Sequence, residues 1–213
     1  MMSEVRRMPP SYYAGVAVMV LRAAAYFLVR LRLPRRVAMD RGARIRGLGN
    51  LEFRGWAKIG AYASLDARHC RRMVIGRGFS LGDHSVMRAS GSPLFVCSGV
   101  EIGDHVTFGP FCNIGGGYGL RIAEDNIFGP YVSLHPETHV VADRGQPIRR
   151  QGVTGQGITI GPDNWFGAKA TVLDGATIGS GNIVAAGAVV TPGDHGSGNI
   201  LGGVPVRRLG VRD

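Results

Sequence analysis

Residues 158–193 read ITIGPDNWFGAKATVLDGATIGSGNIVAAGAVVTPG, and their spacing decides the fold. A bulky apolar residue stands at every sixth position: Ile160, Phe166, Val172, Ile178, Val184 and Val190, with no slip. A period of six fits neither the 3.6-residue turn of a helix nor the two-residue alternation of a half-buried strand. It fits a short strand and a turn, repeated, so that one large side chain per repeat points into a shared axis. Gly and Asn between the bulky positions supply the turn conformations that other residues avoid. Internal periodicity of this kind marks a parallel β-helix, whereas a Gly-rich antiparallel protein would alternate at two residues.

The same frame runs back through the chain in shorter pieces: Ile122, Phe128 and Leu134; Ile102, Phe108 and Ile114; Ile75 with Leu81; Ile59 with Leu65; Ile45 with Leu51. Residues 45–200 are therefore expected to form the β-helix. Each coil is stabilised mainly by its neighbours, so both ends need caps. The segments 1–44 and 201–213 are the candidates.

Composition agrees. Gly is high, at 34 residues, charged residues are low at 19%, and 45% hydrophobic residues suffice for a packed core. The three cysteines, Cys70, Cys97 and Cys112, form no even framework and no close pair in sequence, which points to a reducing, cytoplasmic setting. The formal charge is +10 and is concentrated near the start. Arg6, Arg7, Arg22, Arg30, Arg32, Arg35, Arg36, Arg41, Arg44 and Arg46 face only Glu4 and Asp40 there. Such a patch attracts anionic lipid or polyphosphate. No recognition motif supports nucleic acid as a partner.

Ser11 to Leu33 reads SYYAGVAVMVLRAAAYFLVRLRL. No small-residue cleavage site follows it, so it is not a signal peptide. Arg22 would sit near mid-membrane in a spanning helix, at a cost of a few kcal/mol, and Pro34 stops the segment. Two readings stay open. The helix lies on a membrane surface, at the inner face of the cytoplasmic membrane, through residues 1–36, or it packs on the β-domain or a neighbouring subunit.

The Ile-Gly repeats, the stretch quoted first and the ending GGVPVRRLG (202–210) resemble the hexapeptide acyltransferases. More narrowly they are similar to galactoside, maltose and surface-polysaccharide O-acetyltransferases. The resemblance covers roughly residues 45–210. It implies a left-handed β-helix with three strands per coil, a homotrimer with sites at subunit boundaries, and acetyl-CoA as acyl donor.

The repeat breaks between Leu134 and Ile158, where HPETHVVADRGQPIRRQGVTGQG (135–157) is too polar and irregular for a coil. Solenoids eject long loops on their binding face. His135 and His139 stand at the base of this loop, and imidazole can take a proton from a hydroxyl near neutral pH. Either is a candidate base. The resemblance selects His135, in Ser133-Leu134-His135-Pro136, with His139 second. Glu137 or a backbone carbonyl would orient the ring.

The resemblance also places the pantetheine arm along Asn164-Trp165-Phe166-Gly167-Ala168, Ala185-Ala186-Gly187 and Thr191, with Trp165 beside it. Arg207 falls near the nucleotide phosphates, where charge-assisted bonds are strong. Pro192 departs from the basic residue common after that Thr. Asn113 matches an acceptor-binding Asn. The zinc enzymes of this fold, the γ-type carbonic anhydrases, use three His, and no third His is placed to match, so no metal is expected. The expected activity is acetyl transfer from CoA to a hydroxyl of a saccharide, lipid-linked at the membrane. An amino-sugar N-acetyltransferase, a drug-modifying acetyltransferase and an inactive scaffold are the alternatives.

Overall fold

The computed structural model describes residues 10–29, 36–91 and 95–212. Arg6, Arg7, Arg30, Arg32, Pro34 and Arg35 of the basic segment lie outside them. From Val37 the chain winds through three parallel sheets in strict rotation, one short strand per sheet per coil. This is a left-handed parallel β-helix. Among the described residues the first sheet has nine strands and the second and third seven each.

The six-residue frame sets the register. Ile160 lies beside Ile178, Phe166 beside Val184, and Val172 beside Val190. These partners are three repeats apart, one coil per three hexapeptides. Partners lie farther apart in sequence where Ser80 meets Thr107 and where Ile127 meets Trp165, the second because the 135–157 loop leaves the coil.

Stacking identical positions makes ladders. Phe79, Phe108, Phe128 and Phe166 are almost fully buried in the core. Ring centroids of Phe108 and Phe128 are 4.3 Å apart and those of Phe128 and Phe166 4.5 Å. Burying each ring stabilises by about 1.5–3 kcal/mol. A second buried ladder is polar. Asn126, Asn164 and Asn182 stack at one corner, and each side-chain carbonyl accepts the backbone N–H of the next, at 3.0 Å and 2.7 Å. Asn182 passes the pattern on to the Asn199 N–H at 2.9 Å.

A second corner, between the first and second sheets, also takes a left-handed residue. Tyr62, His84, Phe111, Tyr131 and Lys169 take positive φ there. Such backbone costs about 1–2 kcal/mol per residue. The outward rings of Tyr62, His84, Phe111 and Tyr131 stack at 5.0–5.2 Å between centroids, which offsets part of it.

The helix Pro10–Val29 covers the first coil. Pro10 suits a first helical position. Met19, Ala23 and Phe27, four apart, share one face and are buried. The Tyr26 hydroxyl donates to the Ile45 carbonyl and accepts the Ile45 N–H, while Arg22 pairs with Asp40 at 3.1 Å. The packing reading therefore holds for that face. Val18, Leu21 and Leu28 are exposed on the other. No helix among the described residues is long and apolar enough to cross a membrane.

One expectation is corrected and one proximity is new. The first rung lies at Val37–Met39, ahead of residue 45, and pairs in register with Ala57–Ile59. Met39-Asp40 replaces the Ile-Gly pair there, which hides the repeat. Cys70 and Cys97, distant in sequence, lie on adjacent coils with their sulfurs 3.4 Å apart. At the far end Asn199–Gly202 pairs with Ile183–Val184 and, antiparallel, with Arg207–Val211.

The Asn ladder gives a stability prediction. Asn164→Ala removes one rung and strands the buried Asn182 N–H, which donates to the Asn164 side-chain carbonyl, and should lower unfolding free energy by about 1–3 kcal/mol in urea titration. An unchanged midpoint would show that the ladder contributes nothing net.

Candidate active site

The site lies on the outer face of the second sheet, where the coil pattern fails. Residues 115–117 are three consecutive glycines, so the wall there has no side chains. A Cβ on Gly117 would stand 2.5 Å from Glu137 Oε2, and one on Gly115 would stand 3.0 Å from Pro136 Cδ. The bare stretch lets the start of the extruded loop settle onto the preceding coil. A cleft of about 490 Å³ results, lined among others by Arg88, Phe111, Asn113, Gly115, His135 and Glu137.

Register explains the grouping. Asn113 lies between Val86 and Ser133, while Gly115 lies on Arg88, one rung below His135. Both columns face outward, so Asn113, His135 and Arg88 share one surface. The His135 ring makes no hydrogen bond among the described residues and is exposed.

His139 is not in this group. It sits on the two-stranded hairpin formed by Thr138–His139 and Val153–Thr154, opposite Val153, and is exposed. The hairpin is anchored by the Tyr118 hydroxyl, which donates to the Val153 carbonyl at 2.7 Å. The Asp174 carboxylate then accepts the N–H groups of Gln156 and Gly157 at 2.8 Å, returning the chain to the coil.

The predicted donor residues fall on the corner between the first and second sheets, in the coils after His135. Gly167-Ala168-Lys169 and Ala185-Ala186-Gly187 occupy the turn that Gly109-Pro110-Phe111 and Gly129-Pro130-Tyr131 fill earlier. Carbonyls of Pro110, Pro130 and Ala168 each accept the next coil's N–H along that line. The residue at the Pro position needs no amide hydrogen for the coil. In the later coils it is Ala168 and Ala186, whose N–H groups make no backbone hydrogen bond among the described residues. They are spare donors about 4.8 Å apart, one strand spacing. A Cβ on Gly167 would stand 2.5 Å from the Ala186 nitrogen, so this corner stays shallow. An extended chain carrying amide carbonyls fits it.

The remaining residues flank that corner. Trp165 is half exposed on the first sheet, between Ile127 and Ile183. Arg207 is exposed and lies opposite Gly202, itself against Ala185. The carbonyl of Thr191 accepts from His195 Nε2 at 2.8 Å. Among the described residues no group of three or more His, Cys, Asp or Glu is placed to hold a metal ion.

Sequence reasoning missed Arg88, Phe111 and the three glycines. The glycine run was the available signal, since nothing in a regular repeat calls for three in a row. Toward the helix, Asp66 continues the Arg88 column and is held by Arg68 at 2.7 Å, with Arg46 at 3.9 Å. Burial by itself raises the Asp66 carboxyl, but the Arg68 bonds and the Arg46 charge outweigh it and hold it below its usual range. A depressed folded value means stability present above the unfolded carboxylate range, near 3.9, and lost as pH falls through the folded one. Asp66→Asn should cost about 1 kcal/mol at neutral pH, since Arg68 is half exposed. The gap to wild type should narrow as the pH of the melts falls below the ordinary carboxylate range and through the depressed folded value. A constant gap would remove the ion pair from the account.

Residues 157–192 match the family described as bacterial transferase hexapeptide (six repeats). The relative named "Probable acetyltransferase Rv3034c" of Mycobacterium tuberculosis is 31% identical over 119 residues, covering 56% of this chain. That match spans 38% of the relative's own length. A mutant of AntD, an N-acyltransferase from Bacillus cereus, in complex with dTDP-4-amino-4,6-dideoxyglucose and coenzyme A, superposes with a TM-score of 0.55 at 17% identity. The alignment covers 84% of this chain and 82% of that one. A hexapeptide-repeat acetyltransferase of Vibrio cholerae complexed with acetyl-CoA gives a TM-score of 0.49 at 26% identity, over 62% of this chain and 71% of that one. Residues 157–192 thus carry the hexapeptide repeats of that family, and part of the chain is similar to a probable acetyltransferase.

Proposed function

We propose that this protein transfers an acetyl group from CoA to a hydroxyl of a saccharide, with His135 as general base. The observation that carries the reading is the adjacency of two surfaces. A cleft holding His135 and Asn113 adjoins, in the following coils, a corner with two spare amide donors at Ala168 and Ala186. The relative named a probable acetyltransferase and the neighbouring fold solved with coenzyme A support the donor.

Acetyl-CoA, when bound, supplies an activated carbonyl at the boundary between the two surfaces. Ala168 and Ala186 hold the pantetheine amides, Trp165 flanks the arm, and Arg207 meets its phosphates. Gly167, Ala185, Gly187 and Thr191 keep the groove narrow. Asn113 orients the sugar. His135 takes the proton of the acceptor hydroxyl as its oxygen attacks the carbonyl, and returns it to the departing thiolate. Glu137, at the cleft wall, and His139, on the hairpin, are the second candidates for orienting and base roles. The working form is a homotrimer with clefts at subunit boundaries.

His135→Ala should lower kcat by about 10²–10⁴ while leaving acetyl-CoA binding in place. His139→Ala should change kcat less than tenfold. Thiol release from acetyl-CoA with a panel of saccharides measures both, and loss confined to His139→Ala would reverse the roles. A second reading follows from AntD, named an N-acyltransferase. An unprotonated amine is already nucleophilic, so under that reading amino sugars would be the better acceptors and His135→Ala would cost less with them.

The exposed Val18, Leu21 and Leu28 form an apolar strip beside the Arg-rich segment, and we assign it to a peripheral contact with anionic lipid at the inner face of the cytoplasmic membrane. Leu21→Glu with Leu28→Glu should cut sedimentation with phosphatidylglycerol vesicles by about tenfold while leaving the melting curve unchanged. Equal sedimentation of variant and wild type would refute the contact.

A further inference from the structure

The acceptor cleft contains a cation that the transfer reaction does not use. Arg88 is exposed on the second sheet and lines the cleft. It makes no ion pair or hydrogen bond among the described residues, whereas Arg46, Arg54, Arg68, Arg72, Arg77 and Arg212 each meet a carboxylate. Its neighbour toward the helix is Asp66, in register. That carboxylate is taken by Arg68 through a two-pronged contact of 2.7 and 3.0 Å. Arg46 and Arg68 share that carboxylate while Arg88 stands unpaired on the adjoining rung, so three guanidinium groups stand against one Asp on this side of the cleft, a surplus of two positive charges. Glu137 is the cleft's carboxylate, and it sits at the other wall, over Gly117.

The rung between Arg88 and His135 is Gly115, with no side chain to fill the space. The two backbone positions are two strand spacings apart, about 10 Å. A sugar placed over Gly115 would present one hydroxyl to His135 and a substituent on its far side to Arg88. A doubly charged phosphate matches the local surplus, and guanidinium binds phosphate through paired N–H donors.

We infer that Arg88 is a specificity-determining residue and that the acceptor is a phosphate-bearing saccharide, its phosphate over Arg88 and Asp66's arginines and its reacting hydroxyl at His135. This rests on the saccharide-transferase reading above. The phosphate belongs either to a soluble sugar phosphate or to a lipid-linked one. The basic track continues from Arg88 past Arg68 to Arg46 and Arg44, which line a separate cleft under Tyr26 of the helix.

The test pairs hexose 1-phosphates with the methyl glycosides of the same sugars. At least one phosphorylated acceptor should exceed its neutral partner about ten- to a hundredfold in kcat/KM, the range of a hydrogen bond to a charged group. Arg88→Gln should bring that ratio close to one, mainly through KM, and Arg88→Lys should keep part of it. If only the same sugar on a polyprenyl phosphate carrier in vesicles is used, with the same dependence on Arg88, the phosphate is lipid-linked. A ratio that favours the neutral sugar, or one unchanged in Arg88→Gln, overturns the inference while leaving the transferase reading intact. If no acceptor supports transfer, calorimetric binding of the hexose 1-phosphates decides separately. Binding weakened about tenfold by Arg88→Gln upholds the anion site although the transferase reading falls, and absence of binding to wild type overturns it.

Discussion

Each coil here is hydrogen-bonded only to the coils directly before and after it, so the whole domain depends on one contact repeated along one axis. That contact sets a rise of about 4.8 Å and forces like positions into columns. Inside, the columns become the phenylalanine stack and the asparagine ladder; outside, they become the stacked rings from Tyr62 to Tyr131. A column tolerates few exceptions, because a misfit in one coil is felt by two others. The exceptions that persist are therefore informative, and here they cluster around His135.

Two departures make the site. One is subtraction: Gly115 to Gly117 remove side chains from a wall, and the loop base falls into the space. The other is exchange: proline at the turn in two coils gives way to alanine in the next two, which restores an N–H that the solenoid does not consume. The first surface offers an imidazole, an amide and a guanidinium, and the second offers hydrogen-bond donors in a line. The reaction we propose needs those two kinds of surface side by side.

Much of the fold was legible because the repeat is one-dimensional. Six unbroken positions from Ile160 to Val190 fixed the period, and the ejected loop showed itself as a gap in the frame. The first rung was hidden because Met39-Asp40 carries no Ile-Gly signature. The proximity of Cys70 to Cys97 was hidden because the coils there are longer than three hexapeptides, so spacing alone did not align them. His135, Glu137 and Asn113 were nameable in advance, and the cleft brings them together. Arg88 was not, since one arginine among many in a basic chain has no pattern; only the register placing it across Gly115 from His135 singles it out.

The strand Arg207–Val211 runs against the direction of all the coils it closes. A stack of parallel rungs is, in principle, a seed for endless addition, since the last rung offers the same template as every rung before it. An antiparallel strand laid on Asn199–Gly202 spoils that template for the first sheet, because an incoming parallel segment finds its acceptors and donors already taken and running the wrong way. The protein therefore carries within its own fold an element that closes its first sheet against further axial addition.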